Sequence, residues 1–224
     1  MEDQFLILLM GPNGVGKTTF GNQLKDFTHI NLDEMVMNKI NPSFIEKLNK
    51  DANNEQLQST FLDKFDNFLA ETSIEYYNKC VDIIKEGKNL SLEANTLPGP
   101  YSDTKSIMNY AVKNGYQLNL LFIASNNLDF IKERVLIRTM LSGQFVDEKL
   151  IISNLSGGFK DLDNVLSNRA SIRFNKIAVF EIDFSSEENN KYVKVIDIDK
   201  NTWKYLDKNF VKEYKDYLPT LVNR

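Results

Sequence analysis

The stretch FLILLMGPNGVGKTTF, Phe5 to Phe20, decides the fold. Phe5 to Met10 is a continuous apolar hexamer, the pattern of a strand buried on both faces of a parallel sheet. Gly11-Pro12-Asn13-Gly14-Val15-Gly16-Lys17-Thr18 then fits G-x-x-x-x-G-K-[ST], the loop that cradles phosphate. A chance match in a chain of ordinary composition has a probability of roughly one per cent. The motif also needs a strand before it and a helix after it, and both are expected here. The glycines let backbone N–H groups turn inward around phosphate oxygens. Gly11, Asn13, Gly14, Val15, Gly16, Lys17, Thr18 and Thr19 are therefore expected to hold a nucleotide, ATP or GTP. Lys17 should reach the β- and γ-phosphates, and the Thr18 hydroxyl should be a ligand of Mg²⁺. A helix over Thr18 to Phe27 should point its positive end at the same anion.

Outward from this loop, strands and helices alternate. Thr28 to Asn31 reads as a short strand ending near Asp33. Asn41-Pro42 is a helix start signal, and Gln56 to Lys85 carries the longest helical periodicity, closed by Gly87. Asn89 to Glu93 and Gln117 to Ala124 read as strands, with a helix between them over Ser102 to Asn114. Leu128 to Leu141 reads as a helix, and Val146 to Arg173 as largely helical with a break at Gly157-Gly158. Ile177 to Asp183 is the last clear core strand. Tyr192 to Ile198 reads as an extra edge strand, and Trp203, Leu206, Phe210, Tyr214 and Leu218 as one closing amphipathic helix. The fold class is α/β: a three-layer α/β/α P-loop NTPase with a mainly parallel, five-stranded sheet and a helical lid. A single domain over residues 1–224 is expected, with a helical substrate region at about 42–87 and the lid at about 128–175. Ligands of such a sheet lie at the carboxyl ends of its strands.

The 224 residues carry a formal net charge of −4, with 42% hydrophobic and 26% charged residues. That balance gives no global field for nucleic acid or anionic lipid. One cysteine, Cys80, and one histidine, His29, exclude an intramolecular disulfide and a structural zinc site. Cys80 lies in an apolar-periodic stretch and reads as a buried structural thiol. The acidic start Met1-Glu2-Asp3 and the short apolar run fit neither a signal peptide nor a membrane span, so a cytoplasmic protein is expected.

Two carboxylates fall at strand ends beside the loop. Asp33 is a candidate base for a substrate hydroxyl, against the reading that it only caps the following helix. Glu93, with Asn95 and Thr96, is a candidate substrate contact, against the reading of a surface carboxylate. Arg134 and Arg138 share a helix face at i, i+4 spacing and could clamp a transferring phosphoryl group. Arg169 and Arg173 repeat the spacing with less context. His29 reads as structural.

In this order, GPNGVGKTTF (Gly11–Phe20), INLDEM (Ile30–Met35), LSLEANTL (Leu90–Leu97), Gly115-Tyr116, RVLIRTMLSGQFVDE (Arg134–Glu148) and VFEID (Val179–Asp183) resemble the zeta toxin family of P-loop kinases. The resemblance implies an ATP- or GTP-dependent kinase acting on the sugar of UDP-N-acetylglucosamine. It implies Asp33 as catalytic base, Glu93 as a sugar-nucleotide ligand, and Arg134 or Arg138 on the phosphates. It also implies a toxin–antitoxin context, with a small helical antitoxin over the nucleotide site. Three departures stand out. Ser142-Gly143-Gln144 replaces a Gly-Gly-His, Ile151 to Asn154 lacks an arginine common there, and Ala94-Asn95 replaces a threonine pair, with Thr96 one place later. A kinase for another acceptor (nucleoside, antibiotic or polynucleotide end) and a non-catalytic nucleotide-binding module are the alternatives.

Overall fold

The computed structural model describes residues 3–51, 53–183 and 191–222. The apolar hexamer forms β1, Phe5–Met10, and from Leu6 to Met10 it is almost wholly buried. Beside it lie β2 (Thr28–Ile30), β3 (Leu90–Ala94), β4 (Gln117–Ala124), β5 (Lys176–Asp183), β6 (Lys191–Asp199) and β7 (Thr202–Leu206), in the order β2-β3-β1-β4-β5-β6-β7. The first five pair in parallel; β6 and β7 are antiparallel additions. The sheet thus has seven strands rather than the expected five. From β1 the chain runs to β2 and β3 on one side and later to β4 on the other. This reversal opens a crevice at the carboxyl end of β1, where open α/β sheets bind ligands.

The helices are α1 (Lys17–Gly21), α2 (Leu32–Met37), α3 (Pro42–Lys50), α4 (Glu55–Lys85), α5 (Asp103–Lys113), α6 (Leu128–Ser142), α7 (Glu148–Leu166) and α8 (Lys208–Glu213). Asn41 caps α3 with Pro42 in its first turn, as its sequence signal predicts. Helix α4 joins two cores. Its C-terminal half buries Tyr76, Cys80 and Ile84 against the sheet. Its N-terminal half places Phe61 in a second cluster with Ile40 and Leu48, against which Phe65 and Phe145 pack. Cys80 is fully buried and, as expected, structural; burial pushes its thiol up to about 12.

Three expectations about elements are corrected. Helix α1 ends at Gly21, not Phe27, so it is little more than one turn and its dipole is correspondingly short. Helix α7 runs through Gly157-Gly158 without a break. There the missing side chain is a packing device: a Cβ on Gly158 would sit 2.9 Å from the Asn95 carbonyl oxygen. The closing amphipathic helix does not exist as one element. Trp203 and Leu206 lie on β7, Lys208–Glu213 is α-helical, and Pro219–Leu221 is a separate 3-10 turn. Lys200 and Asn201 both take positive φ, 47° and 63°, which turns the chain back as a tight hairpin. Strand β6 is therefore paired on both sides and β7 is the edge. Phe210 and Tyr214 stack at 4.3 Å inside the core, so their aromatic spacing is a packing feature.

Candidate functional site

The phosphate-binding loop leaves β1 and enters α1 through Gly16, whose φ of 88° is left-handed. A side chain there would be strained and would also collide with the Tyr192 hydroxyl. That hydroxyl donates to the Gly16 carbonyl at 3.1 Å, so β6 braces the loop from outside. Lys17 is buried, and its Nζ donates to the carbonyls of Gly11 (2.8 Å) and Pro12 (2.9 Å) and to Asn95 Oδ1 (2.8 Å). Burial lowers its pKa to about 8, with the Arg138 charge adding to the effect and Glu93 and Asp33 opposing it. Asn13 accepts a 2.8 Å bond from Asn154 of α7, which ties the loop to the lid helices.

Strand register brings Glu93 to the loop: Leu9 pairs with Glu93 and Met10 with Ala94. Glu93 Oε1 lies 2.8 Å from His29 Nε2, and His29 Nδ1 lies 2.8 Å from Ser91 Oγ. An ionised carboxylate can only accept, so Nε2–H donates to Glu93. Burial alone would raise the Glu93 pKa. The hydrogen bond from His29, the Lys17 charge and the Thr18 hydroxyl together outweigh it, and the net shift is downward. Glu93 is thus a buried, held anion and not a surface carboxylate. His29 is structural, as expected, because it positions Glu93 from below.

Asp33 sits in the first turn of α2, but it does not cap that helix. Asn31 does, accepting from the Glu34 N–H, and its Nδ2 also reaches Thr18 Oγ1 at 3.3 Å. The capping reading of Asp33 is therefore overturned. Asp33 is half-buried; burial raises its pKa against the lowering effects of Lys17 and Arg138. Lys17, Asp33, Glu93, Asn95 and Arg138 line one space of about 120 Å³ at the ends of β1 and β3.

The two arginines reach different neighbours. Arg138 reaches that space, and burial lowers its pKa while Asp33 and Glu93 support its charge. Its Nε and Nη2 atoms are buried and meet no hydrogen-bond partner among the described residues. A guanidinium with unmet buried donors, aimed at a space also holding Lys17, is built to receive an anion. Arg134, one turn earlier, lies over the Phe130 ring at 5.5 Å and beside Gly16 and Tyr192, and does not line that space. Arg169 and Arg173 do not join the site. Both are exposed; Arg169 pairs with Asp163 at 2.7 Å and Arg173 bonds the Asn168 carbonyl at 2.9 Å.

Two larger cavities flank the 120 Å³ space. One, of about 460 Å³, is reached past Asp33 and Glu93 and contains Thr96, Asn154 and Phe65. The other, of about 560 Å³, opens past Thr18 and Asn31 towards α3. Asn154 and Tyr192 carry no motif in the sequence, while Gln144 stands where the resemblance leads one to expect a histidine. The one signal for Asn154 was indirect: it ends the segment where the resemblance leads one to expect an arginine.

No family model and no curated protein sequence matches the chain. Solved structures do. A chain of the PezAT chromosomal toxin–antitoxin system of Streptococcus pneumoniae is 17% identical, with a TM-score of 0.52 over 100% of this chain and 89% of that one. The AvrRxo1-ORF1:AvrRxo1-ORF2 complex is similar in a structure with ATP (12% identity, TM-score 0.58) and in one with sulphate ions (13%, 0.57). This chain spans 63% of the AvrRxo1 chain, with 94% of its own length. At these identities the likeness is one of fold. The chain shares the α/β fold of these proteins, and the resemblance to zeta toxins read from its motifs is met at the level of fold.

Proposed function

We propose that the chain is an ATP-dependent phosphotransferase of zeta-toxin type, which moves the γ-phosphoryl group to a hydroxyl of a small molecule. One observation carries this reading: Lys17 and Arg138, two cations, and Asp33 and Glu93, two carboxylates, surround a single space at the mouth of the phosphate loop. A half-buried carboxylate with a raised pKa opposite the lysine supports a base placed beside the transferring group.

In this reading the acceptor oxygen attacks the γ-phosphorus, the bond to the β,γ-bridging oxygen breaks, and ADP leaves. The acceptor proton passes to the Asp33 carboxylate. Lys17 leaves the Gly11 and Pro12 carbonyls for the β- and γ-phosphates, and Arg138 takes the charge that grows on the transferring group. Glu93, fixed by His29, orients the acceptor, with Asn95 and Thr96 beside it. The loop amides of Asn13 to Thr19, with Gly11 at the turn, hold the phosphate chain. Arg134 stays outside the reacting groups.

The residues present fit Mg²⁺. The Thr18 hydroxyl faces Asn31 and Glu93 at the entrance to α1, and no described cluster of three His, Cys, Asp or Glu forms a protein cage. That is the pattern of an ion held by one hydroxyl, substrate phosphates and water. Bound there, it would neutralise phosphate charge. The helices α3 and α4 form the acceptor wall and α6 and α7 the lid of a single domain. Among the described residues no helix is long and apolar enough to cross a membrane; the proposed location is the cytoplasm. An antitoxin partner is supported by the company the fold keeps, a toxin–antitoxin system among its structural neighbours.

The test is incubation with ATP, Mg²⁺ and a panel of hydroxyl compounds, nucleotide sugars included, read by mass spectrometry. A phosphorylated acceptor with matching ADP is the expected result. ATP binding with no transfer to any acceptor, and no hydrolysis, would instead make the chain a nucleotide-binding module.

A further inference from the structure

The charge around the acceptor side of the site is one-sided. The 460 Å³ cavity holds three carboxylates, Asp33, Glu93 and Asp66, and no described Lys, Arg or His. The 560 Å³ cavity holds Glu34 and Glu46 and likewise no described cation. The cations of the site, Lys17 and Arg138, both line the 120 Å³ space between Asp33 and the loop, where the transferring phosphate must lie. They are committed to the donor nucleotide.

The wall of the 460 Å³ cavity has a second character. Phe61, Leu62 and Phe65 from α4 face Phe145, Val146 and Leu150 from the start of the lid. Phe61 is buried and Phe65 packs on it at 5.9 Å, so this wall belongs to the second core and is firm. Asp66 is exposed at the outer rim, one helical turn from Leu62. From the inside outward, an acceptor would meet the Asp33 carboxylate, then amide and hydroxyl groups of Asn95, Thr96 and Asn154, then an apolar wall, then a second carboxylate.

A nucleoside diphosphate does not suit that lining. Its two or three negative charges would face carboxylates with no arginine or lysine to receive them, and charges this close in a partly dry cleft repel strongly. Sites that take phosphate groups place Arg, Lys or a nest of amides on them. We infer that the acceptor is a hydroxyl compound without phosphate, neutral or cationic, with a ring or apolar face that rests on Phe65 and Phe145 and, where it carries an amine, meets Asp66. This inference rests on the phosphotransferase reading and narrows it; it departs from the UDP-amino sugar that the family resemblance implies. The reaction keeps its balance. The acceptor O–H loses its proton to Asp33, the new O–P bond replaces the β,γ-bridging O–P bond, and the products are a phosphate monoester and ADP.

The full chain is tested with ATP and Mg²⁺ against two matched sets. The phosphate-free set is uridine, adenosine, N-acetylglucosamine and an aminoglycoside. The phosphate-bearing set is UDP, UDP-N-acetylglucosamine and UDP-glucose. Transfer is followed by mass spectrometry and acceptor affinity by calorimetry in the presence of a non-hydrolysable ATP analogue. A phosphate-free acceptor should show kcat/KM at least about tenfold above any phosphate-bearing one, the scale of one uncompensated charge in such a cleft. An amine-bearing acceptor that leads the set should lose about tenfold in affinity in Asp66→Lys, while a neutral leader should lose less than that. Equal or better transfer to UDP-N-acetylglucosamine overturns the inference and leaves the phosphotransferase reading standing. Failure to bind ATP at all overturns that reading as well, and transfer to neither set in a protein that binds ATP overturns both.

Discussion

At the residue scale the site turns on four charges in one small space, and each gives a measurable consequence. Lys17 has a pKa of about 8 in the free protein because it is buried. Phosphate charge favours the ammonium form and raises that value in the complex. At pH 8.5 much of Lys17 is neutral before ATP arrives and charged afterwards, so binding should take up a proton. Calorimetry in buffers of different ionisation enthalpy would show the uptake near pH 8.5 and its loss near pH 7; Lys17→Met should abolish it. Asp33 works in the opposite direction. Its raised pKa means that the base is lost as pH falls through a value above the ordinary carboxylate range, so the acid limb of the transfer rate should lie higher than for an exposed aspartate. The two arginines should separate. Arg138→Ala is expected to lower the transfer rate about 10²–10³-fold with a smaller effect on ATP affinity, because its charge matters most in the transition state. Arg134→Ala, whose side chain does not line that space, should change transfer far less. Equal losses from both variants in steady-state kinetics would restore a single clamp. The identical spacing of the pair in the sequence could not make this distinction. Only the approach of α6 to the loop does, with Gly14 against the backbone of Ile131.

At the element scale, the short α1 is held in place by what lies beneath it. Gly21 ends the helix directly over the His29 ring, and a Cβ there would overlap the imidazole. The ring cannot yield without leaving Ser91 and Glu93. Gly21→Ala should therefore cost about 1–3 kcal/mol of stability through overpacking, seen as a lower urea midpoint, and should also reduce acceptor affinity through Glu93. A loss of stability with unchanged acceptor affinity would mean that His29 supports the fold and not Glu93. The parallel half of the sheet was legible because its strands are apolar runs at βαβ spacing, and the phosphate loop was legible because its motif is specific. The C-terminal part was not. Trp203, Leu206, Phe210, Tyr214 and Leu218 recur at helical intervals, yet the first two face the core from a strand and the others from a short helix and the segment after it. A hairpin turn at Lys200-Asn201 contains no glycine to announce it. Gly157-Gly158 misled in the other direction, since close packing on the Asn95 carbonyl needs small residues without any break in the helix.

At the scale of the whole molecule, two cores meet at the site. The sheet core fixes the phosphate loop and Glu93, and the smaller core under α3 and α4 carries the apolar wall of the acceptor cavity. Of this arrangement the sequence revealed the phosphate loop and the polar groups beside it. The loop, Asp33, Glu93 and Asn95 all converge where strand ends were expected to place them. The apolar wall, with Phe61, Phe65 and Leu150, and Asn154 beside it come from segments distant in sequence that carry no motif, so only the folded chain assembles them. The central claim is that this junction transfers phosphate with Asp33 as the base. It is tested most directly by comparing wild type and Asp33→Asn in single-turnover transfer from ATP to the best acceptor, with ATP affinity measured on both. The account predicts equal ATP affinity and a transfer rate lower by about 10²–10⁴-fold in the variant. Full transfer by a folded Asp33→Asn protein would contradict it.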